Sequence, residues 1–171
     1  MTFKVNVFSD NDGVNADFLG SFKTKFGVEF DDVPVGKAWV MINHEWHFFA
    51  ELPLMPDVDV YWNAIKDYKP TILTGCPAVK FATHAKGKHE WLETHRDTFG
   101  QDTKMIVCLT KDKPIHMIAK GDILIDDHQK NITAWNAAGG NGILFINAHQ
   151  AAAEFEALIV KMKAEYDSAE K

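Results

Sequence analysis

Phe3-Lys-Val-Asn-Val-Phe8, followed by Ser9-Asp10-Asn11-Asp12-Gly13-Val14-Asn15-Ala16-Asp17-Phe18, reads as a strand that runs out into acids, turns at a glycine and enters a helix. Apolar and polar residues alternate from Phe3 to Phe8, with Val5 and Val7 among them, which predicts a short strand. Asp10 and Asp12 come straight after it, one residue apart, and Gly13 follows. In an open α/β sheet, acids placed there face the crevice at the carboxyl ends of the strands, where ligands bind. Two neighbouring carboxylates repel unless a cation lies between them or one keeps its proton. Magnesium is the simplest such cation. A solvated Asp-Gly turn is the plain alternative, and the rest of the chain has to separate the two.

At 171 residues, the chain suits one domain, 1–171, large enough for a full core. Its 46% hydrophobic and 25% charged residues are ordinary for a soluble globular protein. With a net charge of −6 and no basic run, it lacks the electrostatic footprint of a long nucleic-acid binder. No stretch reads as a secretory leader or a membrane span. Cys76 and Cys108 are too few for a disulfide framework and point to a reduced, cytoplasmic setting. The assembly expected is a monomer or a homodimer.

Ala16, Leu19, Phe22 and Phe26 recur at helical spacing, and Gly27 ends that helix. From Val28 to Pro56 the periodicity is lost, while Pro34, Gly36, Trp39, Trp46, Phe48 and Phe49 crowd together. Residues 19–60 are therefore expected to form a small helical cap inserted after the first strand and helix. Its aromatics can stack on a flat ligand or form a satellite core under a long loop. A helix resumes over Asp57 to Tyr68, with Val58, Tyr61, Trp62 and Ile65 on one side, and Pro70 stops it.

Thr71-Ile72-Leu73 is a second strand, ending in Thr74-Gly75, a hydroxyl and free backbone N–H groups suited to an anion. Pro77 to His95 is expected to be helical in its second half, with Lys88 able to reach a phosphate but favoured for a solvated face. Lys104 to Leu109 is a third strand, ending in Thr110-Lys-Asp-Lys113, and Ile123-Leu-Ile125 is a fourth that runs into Asp126-Asp127. Trp135 to Gly140 closes a helix, Ile143 to Ile146 makes a fifth strand, and the last helix runs from Ala148 to about Tyr166. Strands alternating with helices predict an α/β fold: a Rossmann-like parallel sheet with helices on both faces.

Four strand ends thus carry Asp10 and Asp12, Thr74, Lys113, and Asp126 with Asp127. Chemically these are acids for a hard cation, a hydroxyl and an ammonium for a phosphate, and one acid left over as a nucleophile. The supporting segments are Asp10-Asn-Asp-Gly-Val-Asn-Ala-Asp-Phe18, Phe48-Phe-Ala-Glu-Leu-Pro53, Ile72-Leu-Thr-Gly-Cys-Pro77, Lys88-His-Glu-Trp91, Thr110-Lys-Asp-Lys113 and Gly121-Asp-Ile-Leu-Ile-Asp-Asp127. In this order they resemble the haloacid-dehalogenase-like phosphohydrolases. Within them the chain resembles the 5′(3′)-deoxyribonucleotidase group, in a bacterial or phage-type form, over Phe3 to about Ile146.

That resemblance implies an Mg²⁺-dependent phosphomonoester hydrolase acting on (deoxy)nucleoside monophosphates. Asp10 would attack phosphorus and become an aspartyl-phosphate, while Asp12 protonates the leaving alkoxide and later activates water. Magnesium would be held by Asp10, the Asp12 carbonyl and Asp126, with Asp127 acting through water. Thr74 and the Gly75 N–H would take phosphate oxygens, Lys113 would neutralise developing charge, and Phe18, Trp39 and Phe49 are the candidates for stacking a base. Asn11 and Asn15 depart from the group, which usually has apolar residues there; Asn11 should point away from the metal and leave the pocket floor more polar.

Rival sites are weaker. A Cys76 thiolate would need an arginine closing its phosphate loop, which the following Pro-Ala-Val-Lys lacks, and His84, His89 and His95 are wrongly spaced for zinc. The alternative functions are a phosphatase of another small organic phosphate or of polynucleotide 3′ ends, and a binding protein that keeps the fold without the chemistry. Such proteins usually lose the nucleophile or a metal acid, and this chain retains both.

Overall fold

The computed structural model describes residues 3–169. Its sheet contains β1 (Val7–Ser9), β2 (Thr71–Cys76), β3 (Lys104–Leu109), β4 (Ile123–Asp126) and β5 (Asn141–Leu144), in the order β3-β2-β1-β4-β5. Every pairing is parallel. The helices are α1 (Phe18–Phe26), α2 (Val35–His44), α3 (Val58–Ile65), α4 (Phe81–Thr94), α5 (Arg96–Phe99), α6 (Gln129–Ala137) and α7 (Ala148–Ala169). None is long and apolar enough to cross a membrane.

Alternation along the strands sorts their side chains to two faces. Val7, Ile72, Ile123 and Ile125 join a large cluster with Tyr61 and Ile65 of α3, Trp91 of α4 and Phe155 of α7. Phe8, Leu73 and Leu124 face the other way and pack with Cys108 and with Trp135 of α6. The central strands are therefore covered by helices on both sides, as their unbroken apolar runs require.

The chain moves outward from β1 to β2 and β3, then returns to lay β4 against the free side of β1. The order of connection thus reverses between β1 and β4, the place where open α/β sheets leave a crevice. Ser9 pairs with Ile125, and the Asp10 N–H donates to the Ile125 carbonyl at 2.8 Å. Asp10 and Asp126 consequently leave the sheet side by side.

Between β1 and β2 the chain forms α1, a 3-10 turn at Phe30–Asp32, α2, a second 3-10 turn at Phe48–Glu51, and α3. Asp17 caps α1 by accepting from the Gly20 N–H, and Gly27, at φ 71°, closes it. The Phe18 ring lies 5.3 Å from Phe30, 5.5 Å from Phe48, 6.2 Å from Phe49 and 6.3 Å from Trp39, centroid to centroid. These aromatics form no satellite: Phe22, Ala38, Ile42, Phe48 and Phe49 belong to the same cluster that covers the sheet.

Several boundaries differ from the sequence reading. β1 begins at Val7 rather than Phe3: the Asn6 carbonyl still accepts from the Ile123 N–H at 2.9 Å, but its N–H and side-chain amide go to the Asp122 side chain (Oδ1, 3.2 and 2.9 Å) instead of to backbone. β5 sits two residues earlier than expected, with Asn141 N–H on the Asp122 carbonyl at 2.8 Å and Ile146 left 70% exposed. α4 starts at Phe81, and α7 continues to Ala169.

Candidate active site

The loop after β1 is wound tightly around one carbonyl. Asn11 O accepts from the N–H groups of Val14, Asn15 and Ala16 at 3.2, 2.8 and 2.9 Å. Gly13 takes φ 77°, and a Cβ there would fall 2.0 Å from Asp127 Oδ2. Only glycine lets the loop pass so close to the acids of β4. Asp10 is fixed from behind: the Asn11 N–H donates to its Oδ1 at 2.7 Å, and the Asn15 amide donates to its carbonyl at 2.7 Å. Asn11 and Asn15 are both fully buried and take no part in lining the cleft in front. The Asn15 amide serves the loop rather than the pocket floor, whereas the Asn11 side-chain amide is buried without a hydrogen-bond partner and only its backbone ties the loop.

Lys113 enters from the 3-10 turn Thr110–His116 that follows β3. It is 1% exposed, and its Nζ stands 2.9 Å from Asp10 Oδ2 and 2.5 Å from Asp126 Oδ2. Burial alone would lower the lysine's pKa, but Asp10 and Asp126 more than offset it and hold the pKa above the ordinary value. Asp126 is fully buried, accepting from the His128 N–H at 2.8 Å and from the Asn131 amide at 3.0 Å. Burial, then repulsion from Asp10, raises its pKa. Asp127 is exposed at the cleft, yet the crowding of site atoms around it and repulsion from Asp10 and Asp126 push its pKa up to about 8, against a weaker pull from Lys113.

Lys88 was expected on a solvated face, and the structure corrects this. It is 0% exposed, with Nζ 2.5 Å from Asp12 Oδ2, 2.9 Å from Thr74 Oγ1 and 4.5 Å from the Phe49 ring centroid. A signal for it was present. His84, Lys88, Trp91 and Leu92 share one face of α4, and a lysine on an otherwise buried face needs an acid to meet. Burial raises the Asp12 pKa, with Lys88 opposing.

Oxygens of Asp10, Asp126 and Asp127 lie within 4.8 Å of one another. An all-oxygen set of this kind suits Mg²⁺. Four carboxylates meet two ammonium groups here, which leaves a deficit that a dication balances; the raised pKa of Asp127 marks the same deficit. The residues present therefore fit the ion.

A cleft of about 330 Å³ opens over the acids. Asp10, Asp12, Thr74, Gly75, Lys113 and Asp127 line it, as do Phe18 and Trp39 from the segment between β1 and β2. Sequence reasoning missed Phe30, Asp31, His128 and Asn131, which line it too. Phe49 does not: it is 3% exposed, its ring 5.0 Å from His84 and 6.5 Å from Trp39, behind the lining and under Lys88.

Residues 36–162 match the family model described as 5′ nucleotidase, deoxy (pyrimidine), cytosolic type C protein. The chain belongs to that family. The matched stretch contains Thr74, Lys88, Lys113, Asp126 and Asp127, while Asp10 and Asp12 precede it and join the site through the fold. A Mus musculus protein, 5′(3′)-deoxyribonucleotidase, mitochondrial, is 27% identical over 169 residues, spanning 85% of this chain and 74% of that one. A solved structure from Bacteroides vulgatus, assigned provisionally as a beta-phosphoglucomutase, superposes with a TM-score of 0.62 over 95% of this chain and 92% of its own, at 13% identity. That likeness is one of fold. As a member of the nucleotidase family the chain is a phosphatase, a hydrolase of phosphomonoesters, and its resemblance to the deoxyribonucleotidase group is borne out.

Proposed function

We propose that this phosphatase hydrolyses (deoxy)nucleoside monophosphates with Mg²⁺, through an aspartyl-phosphate on Asp10. The observation that carries this reading is the meeting of Asp10, Asp126 and Asp127 at adjacent strand ends, beside Lys113 and Thr74. In the first step an Asp10 oxygen bonds to phosphorus as the ester P–O bond breaks, and Asp12 passes a proton to the departing oxygen. In the second, water bonds to phosphorus, the Asp10–phosphorus bond breaks, and the water's proton returns to Asp12. The Thr74 hydroxyl and Gly75 N–H hold phosphoryl oxygens, and Lys113 offsets the charge that develops on them. Asp10, Asp126 and Asp127, with the Asp12 carbonyl, would hold Mg²⁺, which when bound draws charge from the phosphoryl oxygens.

The nucleotide substrate is supported by the likeness to the mouse 5′(3′)-deoxyribonucleotidase and by Phe18 and Trp39, which line the cleft beside the acids. We read 19–60 as a cap that supplies those faces. A cytoplasmic setting agrees with two buried, unbridged cysteines, Cys76 and Cys108.

The test is phosphate release from a panel of nucleoside 5′- and 3′-monophosphates, with Mg²⁺ and with EDTA. We expect Mg²⁺-dependent turnover that Asp10→Asn abolishes while the melting transition is kept. Turnover by Asp10→Asn overturns the nucleophile. Hydrolysis of p-nitrophenyl phosphate but of no nucleotide overturns the substrate and leaves another small organic phosphate in its place.

A further inference from the structure

We infer that Lys88 is a positioning residue that orients both the Asp12 carboxylate and the Thr74 hydroxyl for the reaction. The inference rests on the reading of Asp12 as proton donor and Thr74 as phosphate ligand given above.

Lys88 has no exposed surface and does not line the cleft, so it acts on substrate through other groups. Its ammonium is a donor only. One hydrogen goes to Asp12 Oδ2 at 2.5 Å and another to Thr74 Oγ1 at 2.9 Å. Because the Thr74 oxygen accepts from Lys88, its own hydrogen is free to be donated, and Thr74 lines the cleft where a phosphoryl oxygen would sit. Asp12 is divided in the same way. Oδ2 is tethered, while Oδ1 is buried with no hydrogen-bond partner. An orphaned buried carboxylate oxygen is unfavourable until something fills its valence. Lys88 is thus the one hydrogen-bond anchor among the described contacts of the Asp12 carboxylate, and it fixes how that side chain meets the cleft.

Phe49 supports the ammonium from below, with its ring centroid 4.5 Å from Nζ. Charge neutralisation at the phosphate is already supplied by Lys113, which is paired to Asp10 and Asp126 instead. The two lysines thus divide the work: one serves the nucleophile and metal acids, the other serves the proton donor.

The readout is the dependence on leaving group. Phenyl phosphate and p-nitrophenyl phosphate share a ring, but the phenolate is the more basic leaving group and needs protonation more. kcat/KM reports the phosphoryl-transfer step for each. Lys88→Met should lower kcat/KM for phenyl phosphate by about 100-fold and for p-nitrophenyl phosphate by less than about 10-fold. Equal losses on both would make Lys88 a structural lysine and overturn the assignment.

The double variant Asp12→Asn with Lys88→Met removes both charges, so it carries the test should Lys88→Met alone fail to fold. Relative to Asp12→Asn alone, it should lose the same factor in kcat/KM, under about 10-fold, on phenyl and on p-nitrophenyl phosphate, the share carried by Thr74. A greater loss on phenyl phosphate than on p-nitrophenyl phosphate would mean Lys88 acts on the leaving group otherwise than through Asp12. Asp10→Asn is assayed in parallel: residual turnover there sinks the reaction scheme, whereas a silent Asp10→Asn with equal Lys88→Met losses sinks Lys88 alone.

Discussion

The Lys113 ammonium lies 2.9 Å from Oδ2 of Asp10. Its second contact, to Asp126 at 2.5 Å, makes it a tie between the ends of β1 and β4. Lys113→Met should lower kcat by about 100-fold or more. Left unpaired and buried, Asp10 and Asp126 should also destabilise the chain by about 3–5 kcal/mol, more in EDTA than in Mg²⁺. A kcat change under about threefold would transfer the role to Lys111, which is exposed two residues along from β3's end.

Asp127 gives the site a pH signature. Although its side chain is exposed, the crowding of site atoms around it and repulsion from Asp10 and Asp126 push its pKa from the ordinary 3.8 to about 8. Across that interval the folded, metal-free chain keeps a proton that the unfolded chain has released. Stability therefore falls as pH rises through it. Below the interval both states are protonated and nothing is lost; above it the penalty is complete. Melts between about pH 5 and about pH 8 should decline in EDTA, and Asp127→Asn should flatten the decline. Mg²⁺ should stabilise increasingly as pH rises. A Mg²⁺ increment independent of pH would count against Asp127 as a ligand.

Gly13→Ala tests the same acid from the opposite loop. The new Cβ would sit 2.0 Å from Asp127 Oδ2, in a backbone at φ 77°. Left-handed backbone costs alanine about 1 kcal/mol, and Asp127 has to move aside. The Mg²⁺ concentration for half-maximal activity should rise by about tenfold, with only a small loss in melting temperature. Unchanged Mg²⁺ dependence would remove Asp127 from the metal site.

Trp39 and Phe49 should separate cleanly. Trp39 lines the cleft, so Trp39→Ala should raise KM for nucleotides more than for p-nitrophenyl phosphate. Equal effects would return it to plain packing. Phe49 is buried beneath, and Phe49→Ala should cost about 3–5 kcal/mol of stability. It should also lower kcat, since the Lys88 ammonium rests on its ring.

The sheet was legible because its strands are short apolar runs that end in acids, hydroxyls or lysines, a change of character that a single sequence displays. Asp126 and Asp127 stood out for that reason, and Lys113 followed from the turn after an apolar run. What escaped depends on the third dimension. Lys88 is polar by composition, and only the partners supplied by Asp12 and Thr74 make its burial tolerable. α2 was lost among aromatics because Ala38 and Ile42 are its only buried residues, too few to set a period. The start of β1 was misplaced because the Asp122 side chain, distant in sequence, takes the Asn6 N–H that a longer strand would pair with backbone.

β1 is three residues long, and Val7 pairs with Ile123 on one side while Phe8 pairs with Thr71 on the other. During synthesis β1, which carries Asp10 at its end, is made well before β4, yet it has no lasting place until β4 emerges. Contacts so distant along the chain close late. Enzymatic activity in this protein should therefore return last during refolding, and a nascent chain stopped before β4 should be unable to harm the cell's phosphate esters.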